Sequence, residues 1–151
     1  LLKNENDLLP LDKNLGTIAV IGPNANDKLV LLGNYFGRPS ETVTVQEGIR
    51  NLVSRTTEVL TAKGCDILEP GQAGFVEAVR FAEKADVVVM VMGLSQRVEG
   101  EEGQTEGTPE GFISPGDRDS LDLPGEQAAL LEAVAETALS REACIRVWPK
   151  P

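Results

Sequence analysis

The sequence predicts an α/β fold in which a mainly parallel sheet is flanked by helices, as in an α/β sandwich. Two features carry this prediction. Residues 17–22 and 85–93 are nearly continuous apolar runs, as expected of strands that are buried on both faces. Strand-like and helix-like segments also alternate along the chain, which is the order typical of parallel strands joined by helical crossovers.

The first half of the chain contains three of the predicted elements. Residues 17–22 form a strand that ends at a Gly-Pro turn, and residues 23–43, rich in Gly, Asn and Pro, form a loop. Residues 45–54 place their apolar side chains on one helical face. Residues 57–61 are β-branched enough to form a second strand. The apolar face of the helix is predicted to comprise Val45, Ile49, Leu52 and Val53.

The second half adds two helices and two strands. Residues 74–84 have helical spacing, and residues 85–93 form the strongest strand of the chain. A further helix is predicted to start at Pro124, because proline is favoured in the first helical turn. Residues 144–148 are predicted to form the last strand. The apolar stripes are Phe75, Val76, Val79 and Ala82 in the earlier helix, and Leu130, Leu131, Val134 and Ala138 in the later one.

Residues 93–123 form a long acidic loop between the third strand and the last helix. Structureless connections of about thirty residues are uncommon and are usually functional or disordered. The carboxyl ends of parallel strands meet at one edge, so we expect this loop beside the one after Gly22, where α/β proteins place their sites. The segment from Glu99 to Asp122 contains one basic residue, Arg118, and eight acidic residues. The acidic residues are Glu99, Glu101, Glu102, Glu106, Glu110, Asp117, Asp119 and Asp122.

The composition excludes several classes of function. The chain has 151 residues, the size of one domain, and a net charge of −10, which argues against a nucleic-acid partner. It has no His, which removes Ser-His and Cys-His nucleophile pairs and the commonest metal ligand. Cys65 and Cys144 form no zinc pattern and are predicted to be small buried residues. No apolar run reaches the roughly 20 residues that cross a bilayer, so we predict no membrane partner. We also predict no cofactor and no bound metal.

The run from 98 to 103, Val-Glu-Gly-Glu-Glu-Gly, allows three interpretations. It is a solvated acidic loop, a loop that projects a general acid/base into a cleft, or a calcium site. Flanking glycines favour the projection of a carboxylate. Clustered carboxylates are also the ligands that calcium prefers, although the spacing does not match an EF-hand loop.

Two further segments also allow a structural or a functional interpretation. Asp117 and Arg118 form either a surface turn or a clamp, in which Arg118 holds the long loop through bidentate contact with a carboxylate. The Gly-Pro-Asn-Ala segment at 22–25 follows a strand but lacks the glycine pattern of a nucleotide-binding loop, so a turn near a cleft is the simpler interpretation.

Eight segments, taken in order, resemble the C-terminal domain of glycoside hydrolase family 3. The resemblance covers residues 1 to about 138, and it is specific because all eight matches occur in sequence order. Two stretches depart from the pattern: an insertion between Gly103 and Gly116, and the poorly matching stretch 140–151. The matching segments are residues 1–11, 18–25, 32–35, 63–65, 85–89, 99–101, 116–118 and 121–125.

The resemblance implies a retaining β-glucosidase or β-xylosidase that shares its active site between two domains. An N-terminal (β/α)8 barrel supplies an Asp nucleophile, and the α/β sandwich supplies a Glu acid/base from a loop that precedes Asp-Arg. Gly100-Glu101 matches that loop best, which makes Glu101 the acid/base, with Glu99 and Glu102 as alternatives. Asp117 and Arg118 then structure the loop, and the partner molecule is a β-linked oligosaccharide or an aryl or alkyl glycoside.

The resemblance also sets the expected domain boundaries. Residues 1–16 are expected to be a lead-in segment from an upstream barrel, and residues 17–151 the sandwich, with 93–123 as its active-site loop. Since the chain opens Leu-Leu-Lys without Met and matches poorly at its end, we expect a fragment with an incomplete sandwich, inactive without the barrel. A secreted or periplasmic parent is one option for its location. The alternative function is a non-catalytic carbohydrate-binding or interaction domain on the same scaffold.

Overall fold

The computed structural model describes residues 4, 7–32, 37, 39–95, 98, 120–139 and 144–146. Within these residues, four strands and three α-helices alternate, with one short 3-10 helix at Leu29–Leu32. The strands are β1 (Thr17–Ile21), β2 (Glu58–Ala62), β3 (Val87–Met90) and β4 (Cys144–Arg146), and the helices are α1 (Val45–Leu52), α2 (Phe75–Lys84) and α3 (Gln127–Leu139).

The four described strands form one parallel sheet in the order β2-β1-β3-β4. Ile21 pairs with Ala62 of β2 on one side and with Met90 of β3 on the other, so these strands end together at one carboxyl edge. The predicted α/β class is therefore confirmed, as is the order of strands and helices. Residues 147 and 148, included in the predicted last strand, lie outside the described residues.

The sheet separates two cores of unequal size. On one face, α2 and α3 cover alternate residues of β1 and β3, including Ala19, Ile21 and Val88. On the other face, Ile18 and Val20 pack beneath α1 and residues near it. Parallel crossovers account for this division, because the connection β1-α1-β2 runs in the opposite direction along the sheet from the other two.

The helix faces differ in part from the predicted stripes. In α1, Val45 and Leu52 are exposed (39% and 66%), whereas Gln46 is buried and Ile49 packs against the core. In α2, Val76 is 78% exposed, so its inclusion in the stripe was wrong. These helices are short, and a rotation of one residue position changes which side chains meet the sheet.

The start of α3 also differs from the prediction. The helix begins at Gln127 rather than at Pro124. Gly125 has φ +59°, in the left-handed region, which a right-handed helix cannot contain. Pro124 therefore belongs to a turn, closed by a bond from the Gln127 amide to the Pro124 carbonyl at 3.4 Å. None of the described helices is both long and apolar enough to span a membrane.

A capping box fixes the start of α1. The Thr44 hydroxyl accepts from the Glu47 amide at 3.2 Å, and the Glu47 carboxylate accepts from the Thr44 amide at 2.9 Å. This backbone hydrogen bond, aided by the neighbouring Lys28, holds the pKa of Glu47 below its usual value. Thr44 is almost fully buried and also donates to the Asn26 side chain at 3.0 Å. The first turn of α1, which contains Gln46, is therefore rigidly placed.

Candidate active site

The candidate active site lies at the carboxyl edge between β1 and β3. From β1 the chain passes through α1 to β2 on one side, and from β3 it passes through α3 to β4 on the other. This reversal marks the position, called here the β1/β3 crevice, where open α/β sheets usually bind ligands. The loop after Gly22 and the loop after Gly93 therefore lie at the same edge, as predicted.

Gln127 anchors the start of the long loop from the α3 side. Its side-chain oxygen accepts from the Gly93 amide at 2.7 Å, and its side-chain nitrogen donates to the Gly93 carbonyl at 3.0 Å. The same nitrogen also reaches the Ile67 carbonyl at 3.5 Å. Gln127 is fully buried, so its carboxamide replaces a neighbouring strand for the backbone at the point where β3 has ended.

Asn24 anchors the same segment from the β1 side. Its side-chain nitrogen donates to the Leu94 carbonyl at 3.1 Å, and its backbone amide lies 3.4 Å from the Val91 carbonyl. The Asn24 side-chain oxygen is buried and accepts no hydrogen bond from the described residues. Such an acceptor normally has a partner, which marks this side chain as a feature of the crevice.

Glycines allow the two loops to approach this closely. Gly22 has φ +137°, and a Cβ placed on it would lie 2.1 Å from the Val91 carbonyl oxygen. Gly93 has φ +131°, also outside the range of most side chains. The Gly-Pro-Asn-Ala segment is thus a turn that packs against the start of the long loop, in agreement with the simpler interpretation of its sequence.

The residues predicted to act in the site or to shape its loop lie outside the described residues. These are Glu101, its alternatives Glu99 and Glu102, and the loop residues Asp117 and Arg118. Their assignments therefore stay predictions. The structure describes the loop up to Ser95, again at Val98, and from Ser120 into α3.

Sequence reasoning missed Gln127, and one signal was present for it. Gln127 continues the apolar stripe of α3 backwards at the spacing of Leu130, Leu131 and Val134. A polar residue at a core position of a helix is unusual and needs hydrogen-bond partners there. Within the described part of the chain, no group of three or more acidic or Cys side chains is placed to hold a metal ion.

A cavity of about 370 Å³ opens at the same edge, between the ends of β1 and β2. Its lining combines backbone at the β1 turn with polar side chains: Gly22, Pro23, Ala25, Asn26, Asp27, Gln46, Thr61, Ala62 and Lys63. The Lys63 ammonium pairs with Asp66, and this hydrogen bond holds the pKa of the Asp66 carboxyl below its usual value. Cys65, which lies between Lys63 and Asp66 in the sequence, is buried in the α2/α3 core as predicted.

Comparison with known proteins assigns the chain to a family. The sequence model described as glycosyl hydrolase family 3 C-terminal domain matches residues 1–145. A β-xylosidase of Formosa agariphila is 40% identical over 144 residues, and a probable β-D-xylosidase of Arabidopsis thaliana is 40% identical over 139. The matches cover 91% of this chain but only 18% and 16% of those relatives.

Solved structures give the same result. The chain superposes on a family 3 exo-β-xylosidase, solved with a xylobiose aziridine probe, with a TM-score of 0.71 and 27% identity. It also superposes on a β-glucosidase involved in saponin metabolism from intestinal bacteria, with a TM-score of 0.77 and 25% identity. These matches cover 93% and 96% of this chain and 16% and 22% of the solved chains. The chain therefore belongs to glycosyl hydrolase family 3, in which it corresponds to the C-terminal α/β domain.

Proposed function

We propose that this domain supplies the general acid/base of a retaining β-xylosidase or β-glucosidase, and that Glu101 is the residue. Family membership supports the reaction class. The geometry of the β1/β3 crevice supports the location, because Asn24 and Gln127 hold the start of the acidic loop at the edge where α/β domains bind ligands. That doubly anchored loop start is the observation that carries the proposal.

The chemistry requires two carboxyl groups on opposite sides of the glycosidic bond. In a retaining enzyme these groups are about 5–5.5 Å apart. The nucleophile attacks the anomeric carbon while Glu101, protonated, transfers its proton to the departing oxygen. Glu101 then deprotonates the water that releases the sugar from the covalent intermediate.

The proposed partner of this domain is an N-terminal (β/α)8 barrel that supplies the nucleophilic Asp. On this proposal residues 1–16 connect the two domains and residues 93–123 reach across the substrate. Packing of the loop against the barrel would remove water from Glu101 and raise its pKa, which keeps the acid protonated near neutral pH. The 151-residue chain alone is then expected to hydrolyse no aryl glycoside.

Asp117 and Arg118 are proposed to give the loop its shape. A guanidinium bound to a carboxylate through two hydrogen bonds fixes orientation as well as distance. Substitution of Arg118 by Lys would keep the charge and lose that geometry. We expect Arg118→Lys to lower kcat for every glycoside tested, with little change in KM.

The substrate class is proposed to be β-linked xylosides before β-glucosides. The two relatives named above carry β-xylosidase names, and one solved neighbour is described with a xylobiose-derived probe. The ratio of kcat/KM for aryl β-xyloside and aryl β-glucoside measures this preference directly.

The decisive experiment uses the full-length protein that carries this chain. Hydrolysis of aryl β-xyloside and β-glucoside is measured for the wild type and for Glu101→Ala, each with and without azide. We expect a loss of about 10²–10⁴-fold, the usual scale for a general acid/base, with recovery by azide and formation of a glycosyl azide. Glu99→Ala and Glu102→Ala are the matched controls.

Other results would redirect the proposal in specific ways. Azide rescue confined to Glu99→Ala or Glu102→Ala moves the acid/base to that residue. Unchanged rates in all three variants refute an acid/base in this acidic run. A full-length protein that binds xylobiose but hydrolyses no glycoside favours a non-catalytic carbohydrate-binding domain.

A further inference from the structure

We propose that Asn24 is a positioning residue for the general acid/base, because its side-chain N–H group fixes the backbone that leads to Glu101. This inference rests on the proposed function, since it requires the acid/base to belong to the acidic loop. Asn24 touches no reacting atom on this proposal. It acts through the Leu94 carbonyl, to which its side-chain nitrogen donates at 3.1 Å, and so sets where the acid meets the departing oxygen.

Asn24 is itself rigidly placed on the turn that follows β1. Its backbone amide lies 3.4 Å from the Val91 carbonyl, and the Ala25 amide donates to the Gly22 carbonyl at 3.2 Å. Ala25 is buried in the core on the α1 side, and its carbonyl accepts from the Gln46 amide at 3.0 Å. Asn24 is only 7% exposed, so both its backbone and its side chain have a fixed position from which to hold the loop.

The oxygen of the Asn24 carboxamide points to a role beyond stability. It is buried and accepts no hydrogen bond from the described residues, an arrangement that costs free energy. By contrast, both ends of the Gln127 carboxamide bond to Gly93. A leucine at position 24 would have the same branched shape, would avoid this cost and would lose only the bond to Leu94. That bond is therefore what asparagine provides here and an apolar residue does not.

The bond to Leu94 lies shortly before the acidic run. The next residue, Ser95, is only 5% exposed, and its carbonyl accepts from the Val98 amide at 3.0 Å. Glu101 follows three residues after Val98. Release of the Leu94 carbonyl would therefore free the backbone close to the acid, and a displacement of about 1 Å is enough to lower the rate of a catalytic step about 10²-fold.

The test uses the leaving group of the substrate, because proton donation matters most when the departing oxygen is basic. A phenyl glycoside needs a proton from the enzyme as its bond breaks, whereas a dinitrophenyl glycoside departs as a stable anion. The ratio of kcat/KM for the dinitrophenyl to that for the phenyl glycoside therefore reports how well the acid is placed. Both values come from one preparation, so an unfolded fraction cancels in the ratio, and a loss of stability alone does not change it.

The full-length protein that carries this chain is compared with its Asn24→Leu variant, on β-glycosides of the sugar that the wild type hydrolyses faster. We expect Asn24→Leu to raise the ratio about tenfold to 10²-fold, with most of the loss on the phenyl glycoside. Glu101→Ala is the reference for complete loss of the acid and should raise the ratio further. Asn51→Leu is the matched control, since it removes an exposed carboxamide from the last turn of α1, and its ratio should equal that of the wild type.

The outcomes separate this inference from the proposed function. A raised ratio in Glu101→Ala with a wild-type ratio in Asn24→Leu would overturn the positioning role and leave the acid/base in place. The same comparison holds if Glu99→Ala or Glu102→Ala raises the ratio instead, because those residues belong to the same loop. A ratio unchanged in all three Glu variants would refute both proposals. An equal rise in Asn51→Leu and Asn24→Leu would also overturn the role of Asn24.

Discussion

Gln127 and Gln46 are both buried glutamines in the first turn of a helix, and both lie near the carboxyl edge of the same sheet. At the β1/β3 crevice, Gln127 places hydrogen bonds from both ends of its carboxamide on the Gly93 backbone. At the β1/β2 cavity, the Gln46 side chain forms part of the cavity lining and is 8% exposed.

The difference shows that two polar side chains near one sheet edge can contribute unequally to stability. A carboxamide that bonds to buried backbone stabilises the fold, because its removal leaves those backbone groups without partners. A carboxamide that lines a cavity can exchange hydrogen bonds with water, so its removal costs less. Substitution of Gln127 should therefore change the free energy of unfolding more than substitution of Gln46.

The largest effect is expected where the crevice is tightest. Gly22→Ala would place a methyl group 2.1 Å from the Val91 carbonyl oxygen, at a φ of +137°. We expect a loss of about 3–5 kcal/mol in the free energy of unfolding, since the backbone must move to remove the clash. Urea unfolding followed by circular dichroism measures it. Gly37→Ala is the control, because a Cβ there meets no atom of the described residues within 4 Å, and similar losses in both variants would contradict the packing at Gly22.

Gln127→Leu tests the fully bonded side of the comparison. It would leave the N–H and the carbonyl of Gly93 without their side-chain partner, at a cost of about 2–4 kcal/mol. Amide hydrogen exchange at Gly93 should also become faster than in the wild type. The reference is Gln72→Leu, at an exposed position, whose free energy of unfolding should stay within about 0.5 kcal/mol of the wild type. An equally small loss in Gln127→Leu would show that the anchor contributes little to stability.

Gln46→Leu tests the other side, and its expected effect is smaller. Leu keeps the approximate size of a side chain that lines the cavity, so the free energy of unfolding should stay within about 0.5 kcal/mol of the wild type. Urea unfolding provides the measurement. A loss of more than about 1 kcal/mol would mean that the amide already has a structural partner.

The smallest effect at neutral pH is expected at Cys65, which is buried in the α2/α3 core. Burial raises the pKa of its thiol from 9.0 to about 11. Because the folded pKa is the higher one, the thiol's contribution to stability is complete below pH 9 and is lost as the pH rises towards 11. The stability of wild type and Cys65→Ala, compared between pH 8 and pH 11, should show this fall only in the wild type. Cys144→Ala keeps Cys65 and should resemble the wild type; the same fall in Cys65→Ala would assign it to other groups.

The amount that could be predicted differed between the fold and the site. Apolar runs at 17–22 and 85–93 identified the central strands, because strands covered on both faces leave no polar alternation. The helix faces were predicted less well. Val45, Leu52 and Val76 were placed in apolar stripes, yet they are exposed in the structure, because short helices have too few residues for the stripe to fix their rotation.

The site depended on residues whose type is usually found at the surface. Gln46 and Gln127 occupy buried positions at helical spacing from Ile49 and Leu130, but glutamine is mostly exposed in proteins. Their bonding state depends on backbone from distant segments. Gly93 lies 34 residues from Gln127 along the chain, and the Asn24 side chain bonds to Leu94, 70 residues away.

The sequence by itself determined the class of fold, the order of the elements and the family, because apolar periodicity and motif order are local properties of the chain. The tertiary structure alone decided which helix faces turn inward, that Gly22 lies against the Val91 carbonyl, and that one buried glutamine is fully bonded while the other lines a cavity. The physical reason is that hydrogen-bond partners and packing neighbours are brought together only when parallel strands place distant loops at one edge.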